Sequence, residues 1–83
     1  MTKKEQIIEA YPDEEFMFAD GFDDAIIGVV HDFNAPGRVA YSVNRCIDQL
    51  AKEMSEEEAS EFFSYNVSGA YVGEKTPIWV WDI

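Results

Sequence analysis

The apolar positions along this chain change period several times, and each change marks an element. From Ala25 to His31 the run AIIGVVH is nearly unbroken and rich in β-branched residues, which suits a buried strand. Asn34-Ala-Pro-Gly37 is a turn cluster, and Arg38–Ser42 returns as a second strand. Then the period lengthens. Val43, Cys46, Ile47, Leu50, Ala51 and Met54 form the one-sided stripe of a core-facing helix, with Ser42 placed to cap it. The stretch Asp23–Met54 is thus a hairpin feeding an amphipathic helix, the unit on which the rest of the chain is built.

The flanking segments carry clear stop and start signals. Thr2 and Glu5 have the form of a capping box, opening a short helix through about Ala10. Ile7, Ile8 and Tyr11 give it a thin apolar side and Pro12 ends it; at barely two turns it must dock on the core to persist. Asp13–Glu15 is an acidic loop, Phe16–Ala19 a candidate strand, and Asp20-Gly21 a turn. Ser55 and Glu58 repeat the capping box, with Glu56, Glu57 and Glu58 set against the helix dipole. Ala59, Phe62, Phe63, Asn66 and Val67 share one face of that helix, and Gly69 stands where a C-terminal cap belongs. An amide buried there, Asn66, needs partners, and the backbone of Gly69–Val72 is the expected source. Ala70–Val72 reads as extended and Gly73–Lys75 as a turn. Thr76–Asp82 is the strongest strand signal, with Ile78 and Val80 alternating with Trp79 and Trp81. Both faces of it are apolar, which fits a central strand or an edge strand under a helix; at least one tryptophan belongs to the core. The predicted order is α-β-β-β-α-α-β. That is an α+β fold in a single compact domain, residues 1–83: a small antiparallel sheet (hairpin plus C-terminal strand), two main helices on one face and a short N-terminal helix.

Composition sharpens this picture through charge. Seventeen acids against six bases give a net charge of −11, which argues against direct contact with nucleic acid or anionic membranes. The acids are uneven: positions 13–24 hold six and positions 53–61 five, with no base in either segment. Capping explains the glutamates at the helix start, but it explains neither Glu61 nor the 13–24 group. Asp13, Glu14, Glu15, Asp20, Asp23, Asp24, Glu53, Glu56, Glu57 and Glu61 are therefore the candidate surface for a basic protein partner. The competing explanation is that they serve solubility alone.

Catalytic chemistry finds little support. His31 is the only histidine, and with Asp20, Asp23, Asp24 and Asp32 it matches no metal-ligand spacing. Cys46 falls on the apolar stripe, where a thiol acts as a small hydrophobe with a raised pKa. No nucleophile–base pair and no cofactor motif stands out, so the expectation is a non-enzymatic binding protein without cofactor. The alternative class is a small-ligand protein, such as a sponge for signalling nucleotides. Arg38, Tyr41, Arg45, Tyr71 and Lys75 are the only set able to serve it. A homo-oligomer is compatible with either class. One cysteine forms no internal disulfide, the N-terminal residues have no signal-peptide pattern and no apolar run reaches membrane-spanning length, so the cytoplasm is the expected compartment.

From Phe18 onward the chain resembles a group of small uncharacterised proteins encoded by bacteriophages. The likeness is carried by Asp20–Gly28 (DGFDDAIIG), Arg38–Val43 (RVAYSV), Met54–Ala59 (MSEEEA), Phe63–Asn66 (FSYN) and Gly69–Ile78 (GAYVGEKTPI). It implies a phage protein acting in a bacterial host cytoplasm. By analogy with small acidic phage proteins, it also implies binding of a host defence protein, as an inhibitor that in some cases mimics DNA.

Overall fold

The computed structural model of the chain describes residues 2–33, 36–69 and 73–82. Helix α1, Lys3–Ala10, starts at the capping box. Thr2 Oγ1 accepts the Glu5 N–H at 3.1 Å, and Glu5 Oε1 reaches back to the Thr2 N–H at 3.4 Å. Only Ile7 of α1 is buried; Ile8 and Tyr11 are exposed. A single 3₁₀ turn, Asp23–Ala25, delays strand β1, which runs Ile26–Val30 and stops before His31. Strand β2 is Arg38–Ser42, antiparallel to β1. Ile26 pairs with Tyr41 but Gly28 with Ala40, so Ile27 is the extra residue of a β-bulge and points its side chain into solvent. Asn34 and Ala35 of the predicted turn lie outside the described residues.

Phe16–Ala19 does not form the predicted strand. Its backbone finds another use: the Ala19 N–H donates to Tyr41 Oη at 2.7 Å, while Phe16 and Phe18 pack edge to face, 6.4 Å between centroids. A side-chain acceptor rather than a ladder partner holds this segment, so it lies against the core as a strap, with Phe16, Phe18 and Ala19 half-buried and Met17 exposed.

Helix α2, Val43–Leu50, is capped by Ser42, whose Oγ accepts the Arg45 N–H at 3.2 Å. The helix ends sooner than the stripe to Met54 predicts. Bonds from Lys52 N–H to Gln49 O and from Glu53 N–H to Leu50 O close three-residue turns there, and Ser55 then starts α3, Glu56–Phe62. Helix α3 runs on into a π turn, Phe63–Val67, in which Ser68 N–H reaches Phe63 O at 2.9 Å. The wider turn breaks the predicted periodicity. Ala59 and Phe63 stay buried and Val67 half-buried, but Phe62 is 42% exposed and Asn66 faces solvent. The expected buried amide is therefore absent. Gly69 is not a left-handed cap either: positive φ occurs at Gly21 (87°) and Gly73 (110°), where turns demand it. The predicted extended piece Ala70–Val72 lies outside the described residues.

Strand β3 is shorter than predicted, Ile78–Val80, and it lies beside β2 in the order β1-β2-β3. It runs parallel to β2, with Ala40 opposite Ile78 and Ser42 opposite Val80, so the sheet is mixed rather than wholly antiparallel. The reason is topological: the chain leaves the end of β2 directly into α2 and returns along α3, a helical crossover of the kind that parallel neighbours require. The result is an α+β fold with a three-stranded sheet. Asp82 fastens the crossover shut. Ser42 Oγ donates to its carboxylate at 2.7 Å, the Asn44 N–H at 3.3 Å, and Asn44 Nδ2 to its carbonyl at 2.7 Å. The Ser42 hydroxyl, ahead of the Asn44 N–H and the Arg45 charge, holds the Asp82 carboxyl below its usual pKa.

The core lies where these elements meet. Ile26, Val39, Tyr41, Val43, Cys46 and Phe63 are almost fully buried, with Leu50, Ile47 and Trp79 packed against them. Trp79 stands 5.1 Å from the Tyr41 ring and 5.3 Å from Phe63. Trp81 meets Phe63 edge-on at 5.9 Å but is 63% exposed, so the two tryptophans divide between core and surface. No helix among the described residues is long and apolar enough to cross a membrane.

Candidate functional site

Nine of the ten acids singled out from sequence are exposed, and Asp23 is half-buried. One side-chain bond ties the first of the two acidic segments to the helix that precedes the second. The Gln49 side-chain amide donates to the Gly21 carbonyl, pinning the Asp20-Gly21 turn to the second half of α2. Glu53 follows four residues after Gln49, and Glu56, Glu57 and Glu61 continue along α3. Asp23 and Asp24 open the 3₁₀ turn on the other side of that pin.

Little positive charge answers them. Among the described residues the one side-chain ion pair is between His31 and Glu14, with Nε2 at 3.1 Å from Oε1. The six bases are otherwise placed. Lys4 lies 5.0 Å above the Phe18 ring, and Lys3 and Arg45 line a cleft with Gln6 and the bulged part of β1. Arg38 Nε donates to Thr76 O and Lys75 Nζ to Glu15 O, both at 2.6 Å, and Lys52 is exposed. The two carbonyl bonds spend a cation on a backbone group and leave the carboxylates unpaired.

The acidic loop also meets the hairpin end. Asp13, Glu14 and Glu15 border an open cleft of about 420 Å³ with His31, Gly37 and Lys75. The His31 ring packs on Tyr11 at 5.0 Å, and both partners of the ion pair lie over Gly37. A Cβ at position 37 would sit 2.7 Å from Glu14 Oε2 and 2.8 Å from His31 Nε2, so a side chain there would make this exposed pair shift. His31 is therefore joined to Glu14 and not to the aspartates nearest it in sequence. No cluster of three metal-ligating side chains forms among the described residues.

The residues considered for a small ligand are dispersed. Tyr41 has no exposed surface; burial, opposed by the bond from the Ala19 N–H, pushes its hydroxyl pKa up to about 12. It cannot meet a ligand from solvent, which corrects its place in that set. Arg45 belongs to the α1 side, Lys75 to the acidic cleft, and Arg38 to a shallow cleft of about 570 Å³ beside Trp79 and Trp81. Tyr71 lies outside the described residues. Cys46 is fully buried, and burial pushes its thiol up to about 12, so it is protonated and shielded at neutral pH.

One feature has no counterpart in the linear pattern: a mainly apolar groove of about 320 Å³ walled by Met17, Phe18, Val67, Pro77 and Trp79, with Asp20 at its rim. The signal in sequence is faint. Phe16 and Phe18 are half-buried while Met17 is 41% exposed, an alternation that a four-residue apolar run conceals. Trp79 Nε1 is buried and has no hydrogen-bond partner among the described residues. Comparison with protein families, curated proteins and solved structures finds no match to this chain.

Proposed function

We propose that this protein works by binding, and that its acidic face docks on a basic surface of a protein partner. The observation that carries this reading is the uncompensated charge. Seventeen acids face six bases, and among the described residues no Lys or Arg side chain forms an ion pair with a carboxylate. A purely solubilising charge needs no such segregation, since interspersed signs serve solubility while repelling less. Likeness to phage-encoded proteins makes a host protein the partner class to try first, and a nucleic-acid-binding protein offers the broadest basic surface. In that setting the protein is an inhibitor that occupies the site DNA would take.

The test uses two charge variants with the same backbone. One carries Glu56→Gln, Glu57→Gln and Glu61→Gln; the other carries Asp13→Asn, Glu14→Gln and Glu15→Gln. Binding to a partner recovered from host lysate should weaken with added salt, and either variant should slow association. Duplex DNA should compete with the wild type. Unchanged binding by both variants, together with no competition by DNA, would reduce the acidic face to a solubility feature.

A further inference from the structure

The apolar groove has one acid in its lining, Asp20, which stands in the acid-rich segment 13–24. Met17, Phe18 and Asp20 belong to the same strap that begins with Asp13–Glu15 and leads into Asp23-Asp24. Among the described residues no Lys or Arg lines the groove. Its volume of about 320 Å³ is at the small end of ligand sites, which run from roughly 300 to 1,000 Å³, so it takes a large side chain or two and not a cofactor.

Charge selects the occupant. A second copy of this chain would bring its own −11 against Asp20 and the equal net charge of this one, and an anionic lipid surface would be repelled in the same way. We infer that the groove is the anchor point for a segment of a partner protein in which one or two large apolar side chains are flanked by Lys or Arg. The apolar group enters between Met17, Val67 and Trp79, and the flanking cations meet Asp20 and its acidic neighbours. This rests on the acidic-docking reading and supplies what that reading lacks: a centre that fixes position where dispersed charge supplies only attraction.

Three short synthetic peptides of equal length test it. The first alternates Lys and Ser around a central Leu-Phe, the second replaces Leu-Phe by Ser-Gly, and the third replaces every Lys by Glu. Calorimetry gives affinity, and the Trp79 indole N–H resonance, assigned with Trp81→Phe, reports on the groove. The first peptide should bind, shift that resonance and weaken by about tenfold with Met17→Ser or Asp20→Asn. Both positions are exposed, and a melting curve confirms that each variant is folded. If the second peptide binds as tightly and Met17→Ser changes nothing, the groove is refuted while the acidic reading stands. If the Glu peptide binds as well as the Lys peptide, both readings fail. If no peptide binds, the anchor is refuted, and acidic docking is then judged by its charge variants.

Discussion

Tyr41, on the middle strand, and Cys46, on α2, are both fully buried, and both keep protons that an unfolded chain would lose first. Burial raises the thiol from 9.0 and the phenol from 10.0, each to about 12. Between those limits the unfolded state binds fewer protons than the folded one, so stability falls as pH rises from about 9. The loss reaches the order of a few kcal/mol. Urea midpoints should drop between pH 8 and roughly 10.5, and Cys46→Ser should flatten the early part of that drop. An equal drop in the variant would show that the thiol is not its source.

At the scale of elements, the junctions matter most. The depressed Asp82 carboxyl contributes stability above its usual 3.8, and that contribution disappears as pH falls below it. Asp82→Asn should therefore be less stable than wild type at pH 7, and the two should converge in acid. A constant gap across an acid titration of thermal melts would contradict the clamp. Phe63 and Asn66, three residues apart, should behave as opposites. Phe63→Ala should cost about 3–5 kcal/mol, whereas Asn66→Ala should stay within about 0.5 kcal/mol in urea titrations. The difference comes from the π turn, which no short-range signal announced. Thr2, Ser42 and Ser55 were readable because each cap is decided by a hydroxyl and an N–H three residues on. The parallel pairing of β3 was not, since its register is set by partners far along the chain. For the same reason the groove was hidden: its walls come from positions 17–20, 22, 66–67, 77 and 79, which only the fold assembles. The acidic segments were legible as composition, yet the bond from Gln49 to Gly21 was not.

The whole molecule is an elongated body of 40 × 28 × 22 Å. Its accessible surface of 5691 Å² exceeds the roughly 5,000 Å² expected of a compact monomer of this mass. A thin body with unpaired acids repels itself over distances close to the screening length of about 10 Å at 0.1 M salt. Raising ionic strength from a few millimolar to about 0.15 M should therefore increase the melting temperature. A flat or falling series would mean that the acids are neutralised locally.

The helical crossover also orders events in time. The hairpin closes over a short span, but Ala40 and Ile78 are 38 residues apart, so β3 joins only after a costly loop closure. Contacts formed late in folding are the first released in unfolding. Weakening β3, for example with Val80→Ala, should then speed unfolding and leave the folding rate nearly unchanged, while Val39→Ala in β2 should slow folding. Stopped-flow measurements with both variants distinguish the cases: a slowed folding limb for Val80→Ala would place the third strand in the nucleus. On the expected course, the side bearing Trp79 and the groove opens before the hairpin does, and the surface proposed to meet a partner belongs to the most labile part of the fold.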